Sequence, residues 1–190
     1  MIVIQLTINA ETMKKLHSLY LMLPVVAILA QACGDNERAK NYNDKTLVDQ
    51  RGLAFITTAN EAGMMEIKAS TLATKLSKNQ RVINFAKMMI NDHTAAGAEV
   101  SKLAKDQLVD IPDTISAPKQ KSIDSLNRLT GTSFDSAYMA MMVKDHQAAV
   151  QLFQEETSNK TVGVRALAYK LLPKLKMHLD SANAICNSLK

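Results

Sequence analysis

The sequence predicts an all-α fold, a four-helix bundle whose second and third helices are joined by a long crossover. Three observations predict it. Hydrophobic residues make up 47% of the 190 positions but aromatics only 4%, with no Trp and little Gly or Pro, which suits an alanine- and leucine-rich helical domain rather than a sandwich or barrel. Four long stretches, about 51–77, 79–107, 132–158 and 161–189, carry helical periodicity and exceed the average globular helix. Finally, segment 108–131, LVDIPDTISAPKQKSIDSLNRLTG, is too long for a tight hairpin.

Residues 1–32 stand apart from the fold. Lys14-Lys15 form a basic n-region, LYLMLPVVAILA (19–30) an apolar h-region, and Ala30-Gln31-Ala32 a small-residue cleavage context, so the segment reads as a secretory signal peptide. The charged region sits after twelve further residues, which points to Met13 as the true start. LAQAC places Cys33 after the cleavage site and resembles a bacterial lipobox, although Ala30 stands where Leu is usual. A lipid on Cys33 would tether a soluble domain to a membrane of the cell envelope, at the periplasm or outer membrane; plain secretion is the alternative. Cys186 would then be the one remaining thiol, a small apolar residue near the end of the last helix.

Residues 33–49 are polar and mixed in charge and read as a flexible tether, followed by the bundle over 50–190. The breaks between helices have turn chemistry: Ser77-Lys78-Asn79 after the first, Thr130-Gly131-Thr132 before the third, Thr157-Ser158-Asn159 after it. Ser116 to Leu129 reads as a short helix within the crossover, with Ser116 as cap and Pro118 in the first turn. A connection of that length can run back along the bundle and make helices two and three parallel, as in bundles of the ferritin type; an up-down arrangement is the alternative. The net charge of +5 is spread without a basic block or interleaved aromatics, which argues against a nucleic-acid partner.

The polar residues on the core stripes carry the chemistry. MMINDHTAAG (88–97) and MMVKDHQAAV (141–150) repeat one phrase on two helices. The seams spaced by threes and fours run Phe55, Ala59, Ala62, Glu66, Ala69, Ala73 in the first helix and Val82, Phe85, Met89, His93, Ala96, Val100 in the second. The third carries Met139, Met142, His146, Ala149, Phe153, and the fourth Leu171, Leu175, His178, Ala182, Ile185. Every histidine after the signal lies on a seam, and Glu66, His93, His146 and His178 all fall near mid-helix. One carboxylate and three imidazoles are therefore expected at one level of the core.

Burying such groups unpaired costs on the order of several kcal/mol each, so they must be matched by each other, by water or by a metal ion. Three imidazoles and a carboxylate suit Zn, Fe, Cu or Mn. Asp92 and Asp145 point away from their own histidines but can orient a histidine on an adjacent helix. The bland alternative is a neutral hydrogen-bond network that fixes helix register. Met64, Met65, Met88, Met89, Met139, Met141, Met142 and Met177 read as core filling rather than copper ligands, and Glu61 and Glu155-Glu156 as solvated or lysine-paired. Pro173 should kink the last helix just before His178, or divide it in two.

In order, FITTANEAGMMEIKASTLA, VINFAKMMINDHTAAGAEVSKLA, FDSAYMAMMVKDHQAAVQLFQEE and LPKLKMHLDSA resemble the ferritin-like domain-of-unknown-function family 4142 of exported bacterial proteins, over about residues 50–185. The resemblance implies a ferritin-like four-helix bundle at the cell envelope and supplies no activity. Di-iron bundles use Glu-x-x-His on two helices, and this chain contains none, so ferroxidase or oxygenase chemistry is not implied. The sequence reading is a metal-binding bundle without catalytic residues. An envelope scaffold or stress-related interaction protein with a structural polar core is the main alternative, and a small metalloenzyme the second.

Overall fold

The computed structural model describes residues 46–189, which form five α-helices and no strand: α1 (Gln50–Leu76), α2 (Gln80–Asp106), α3 (Ala117–Asn127), α4 (Gly131–Glu156) and α5 (Val162–Ser188). The segment read as a signal peptide, the expected start at Met13 and the expected lipidation site Cys33 lie outside the described residues. Among those described, no helix is long and apolar enough to cross a membrane.

Local chemistry sets the helix ends. The Asp49 carboxylate accepts the Gly52 N–H at 2.7 Å and starts α1, and the Asn79 side chain accepts the Arg81 N–H at 3.0 Å and starts α2. Residues 46–49, assigned to the tether by sequence, are seated on α2: the Leu47 N–H donates to the Gln107 carbonyl at 2.9 Å. α2 ends in a Schellman arrangement, with the Val109 N–H on the Ala104 carbonyl at 2.8 Å and the Leu108 N–H on the Lys105 carbonyl at 3.2 Å. Leu108 fills the left-handed position usually given to glycine, at φ 55°. α5 is continuous through Pro173, which faces solvent, so the helix is not divided there.

Two apolar clusters show which way the helices run. One joins Ala69 and Ala73 late in α1, Val82 and Phe85 early in α2, Phe134 and Tyr138 early in α4, and Ile185 late in α5. The other joins Phe55 early in α1, Val100 and Leu103 late in α2, Phe153 late in α4, and Val164 early in α5. Thus α1 and α5 run one way and α2 and α4 the other. α1 packs chiefly on α2, and α4 on α5, while α1–α4 and α2–α5 contacts close the ring. The crossover returns along the outside, making α2 and α4 parallel as its length suggests. α1 holds it there: Asn60 donates to the Pro112 carbonyl at 2.8 Å and Glu61 accepts the Ser116 N–H at 2.7 Å.

Glu156 departs from the solvated reading. It is 2% exposed, accepts from Arg51 Nε at 2.6 Å and from Asn159 Nδ2 at 2.5 Å, and so ties the start of α1 to the end of α4. The methionines behave as core: Met65, Met89, Met139 and Met142 are buried in the first cluster, whereas Met177 is exposed.

The left-handed Leu108 gives a direct test. A β-carbon in that conformation costs about 1 kcal/mol, so Leu108→Gly, at an exposed side chain, should raise the unfolding free energy by up to about that amount in urea titration. An unchanged or lowered midpoint would contradict the strained cap.

Candidate metal centre

Between the two apolar clusters the core is polar. Because antiparallel neighbours bring mid-helix positions to one level, Glu66 from α1, His93 from α2, His146 from α4 and His178 from α5 meet there, each no more than 6% exposed. The imidazole centroids form a near-equilateral triangle, 5.6 Å from His93 to His146, 5.4 Å from His93 to His178 and 5.3 Å from His146 to His178. One ring nitrogen from each lies within 4.8 Å of the others.

The hydrogen bonds bear on which nitrogens are free. His146 Nδ1 lies 3.0 Å from the Met142 carbonyl, which can only accept; with the proton directed there, Nε2 of the neutral ring is bare. His178 Nε2 lies 2.9 Å from Asp92 Oδ2 and donates to it, which leaves Nδ1 bare. Those two bare nitrogens, His146 Nε2 and His178 Nδ1, face one another at 3.3 Å. In that arrangement the contact has acceptors on both sides and suits a cation, a proton or a metal ion; if the Glu66 carboxyl, 3.3 Å from His146 Nδ1, donates to that nitrogen instead, His146 Nε2–H donates to His178 Nδ1 and the chain of hydrogen bonds closes.

His93 adds a third unmatched atom. Its Nδ1 lies 3.1 Å from Glu66 Oε2, and its buried Nε2 has no hydrogen-bond partner. Whichever of Glu66 and His93 holds the proton between them, Nε2 is either a bare lone pair or an N–H without an acceptor. An unmatched buried group of this kind costs about 1–3 kcal/mol.

Glu66 stands elsewhere than the four-ligand expectation put it. Its oxygens face the Nδ1 atoms, His93 at 3.1 Å and His146 at 3.3 Å, behind the two rings rather than among the converging nitrogens. Asp92 holds His178, and its other oxygen accepts from Lys174 Nζ at 2.7 Å. Asp145 makes no hydrogen bond to the three rings; its buried Oδ2 has no partner, and it acts on Glu66 through charge. The Met142 carbonyl, a backbone group with no signature in sequence, completes the support.

Burial dominates the electrostatics. It raises the Glu66 carboxyl to about 8, helped by the Asp145 charge and opposed by Lys119. It lowers His93 to about 3, with His146 and His178 adding to the effect, and His146 to about 4, with His178 adding and the Met142 carbonyl opposing. Burial also lowers His178, against the hydrogen bond and charge of Asp92. At Asp92 burial pushes upward, but hydrogen bonds from Lys174 and His178 outweigh it and the net shift is downward. Burial raises Asp145, against Lys119 and Lys144. At neutral pH the three imidazoles are therefore uncharged, the Glu66 carboxyl is protonated and Asp92 is ionised.

These shifts set a stability profile for the metal-free protein. Glu66 is raised, so its contribution is full below its ordinary 4.5 and is lost as pH rises through about 8. The histidines are lowered, so theirs is present above the ordinary 6.5 and is lost as pH falls towards their folded values. The melting temperature should peak near pH 6.5 and fall on both sides, and Glu66→Gln should flatten the limb between 6.5 and 8 and steepen the one between 4.5 and 6.5, where Glu66 opposes the histidines. A profile level from pH 5 to 8 in the parent protein would contradict the buried neutral cluster.

Solved structures share this helical arrangement. A DUF305 fragment from Deinococcus radiodurans superposes with a TM-score of 0.66 at 11% identity, covering 74% of this chain and 98% of that one. A DUF305 protein from Streptomyces coelicolor, described as a candidate secreted protein, gives 0.63 at 11% identity, covering 73% and 92%. At such identity the likeness concerns the fold alone. No curated protein matches the chain. The model of the domain of unknown function DUF4142 matches residues 36–185, most of the sequence, and the chain belongs to that family.

Proposed function

We propose that the protein is an exported, lipid-anchored helical bundle of the cell envelope that binds one transition-metal ion in its core, without turnover. His93, His146 and His178 supply the ligand nitrogens. Glu66, Asp92 and the Met142 carbonyl hold the rings in the tautomers that ligation needs, as outer carboxylates and carbonyls do for metal-binding histidines. The observation that carries the reading is the convergence of three buried imidazoles, with His146 Nε2 and His178 Nδ1 facing each other at 3.3 Å and an unmatched nitrogen on the adjoining His93 ring. Three neutral imidazoles fit Zn, Cu, Fe or Mn, and leave a fourth position open.

The structural-network reading is favoured by Glu66 bridging two rings, and one experiment separates the two. Purified protein should take up about one equivalent of Zn or Cu and melt at higher temperature when loaded, with chelator reversing the shift. His146→Ala should abolish uptake, and Asp92→Asn should weaken it by roughly 10- to 100-fold while the fold persists. If no ion among Zn, Cu, Fe and Mn is retained or alters melting, the polar layer is structural.

Export and anchoring rest on the signal peptide and Cys33, and are in keeping with the lack of a membrane-crossing helix among the described residues. When the chain is expressed in a bacterium, it should partition with the membrane fraction, and Cys33→Ser should release it to the soluble fraction. Equal partitioning of both forms would rule out the lipid.

A further inference from the structure

One turn from the imidazole layer the core seam changes character. Ala62 precedes Glu66 by four residues, Ala96 and Ala149 follow His93 and His146 by three, and Leu175 precedes His178 by three. With α1 and α5 antiparallel to α2 and α4, these four positions share a level, and three of them are alanine. The alanines are only partly buried, although Glu66, His93 and His146 beside them are sealed. Three short side chains in one layer leave a cavity of about 280 Å³.

The cavity has an apolar body and a polar end. Val100, Leu152, Phe153 and Leu171 line the body, while His93, His178, Glu66 and Asp145 line the end beside the imidazoles. The lining reaches solvent at Thr58 and Ala148 between α1 and α4, and again at Lys174 on α5. Lys119, 3.9 Å from Glu61 Oε2, and Lys174, 2.7 Å from Asp92 Oδ1, belong to the lining as well. Two buried polar atoms without partners, His93 Nε2 and Asp145 Oδ2, belong to residues of this lining. His93 is 6% exposed, so its free nitrogen is matched by something in the core rather than by bulk water.

We propose that this chamber binds a small monocarboxylate with an apolar body, its head group at the open coordination position beside His93 and its body against Val100, Phe153 and Leu171. The proposal rests on the metal reading. The polar end of the chamber lies against His93 and His178, where an open coordination position would take a head-group oxygen, and Lys119 and Lys174 are the cations of its lining. The apolar walls disfavour a hydrated inorganic anion, which would lose its water without replacement, and favour an amphiphile that buries its hydrocarbon part. The lysines of the lining favour entry of an anion.

The test uses the full chain loaded with Co(II), whose visible absorption reports its coordination, titrated with benzoate and with acetate. Benzoate should change the spectrum saturably and bind about tenfold or more tightly than acetate, because only benzoate fills the apolar body. Ala149→Leu should still take up one Co(II) yet lose at least about tenfold in benzoate affinity, with Ala96→Leu as the second variant should the first not fold. An unchanged spectrum, no preference over acetate, or undiminished binding to a folded leucine variant overturns the chamber and leaves the metal site standing. Failure to take up Co(II) overturns the metal reading and the chamber with it.

Discussion

Three imidazoles and a carboxylate can be withdrawn from water only if their protons and lone pairs are matched, and this requirement governs the middle of the bundle. Antiparallel packing of neighbouring helices brings residues from four separate segments to one level. Each ring is then fixed by a group behind it: Glu66 behind His93, the Met142 carbonyl and Glu66 behind His146, Asp92 behind His178. Remove one support and a ring can rotate, which leaves a donor or acceptor unmatched at a cost of about 1–3 kcal/mol. The apolar clusters above and below supply the folding free energy; the polar layer is a constraint they must tolerate. A buried ionisable layer is often no more stabilising than apolar residues of the same volume, so stability alone does not account for four such residues.

Periodicity made the bundle legible, and with it the level of the site. Threes and fours put His93, His146, His178 and Glu66 on seams, and equal distances from the helix ends put them at equal depth, as the structure has them. Periodicity does not say which atom of a side chain faces inwards. Glu66 was legible as a core residue but not as one behind the rings, because that depends on rotamers and on a backbone carbonyl offered by Met142. Asp92 was legible as a support because it lies about a third of a turn from His93, towards the neighbouring α5. Asp145 has the same place in its phrase but finds no imidazole, since the helix beside it carries Glu66 instead.

Other features were hidden for related reasons. Glu156 looks like a surface residue until the long-range Arg51 contact is known. The alanine layer looks like ordinary small-residue packing, because a seam of Ala predicts close helix approach and a cavity equally well. The outcome depends on whether the helices close in. Here the helices do not close in, and a space lined by Leu175, Phe153 and Leu171 persists.

The decisive difference between a register-fixing network and a ligand set lies in proton counting. A closed network alternates donors and acceptors, and three neutral imidazoles have the three N–H groups and three lone pairs to do so. Here the proton of His178 is committed outwards to Asp92, and when that of His146 goes to the Met142 carbonyl the inner contact between the two rings is left with acceptors on both sides. Reversing the His178 tautomer would set a bare nitrogen against the Asp92 carboxylate, whereas a bare His146 Nδ1 would meet the protonated Glu66 carboxyl. Protonating one would place a charge where burial has already lowered both groups. Outward protons leave the two inner lone pairs that a metal ion would take, whereas a proton passed inwards from Glu66 closes the same residues into a network, so the position of that one proton separates the two readings.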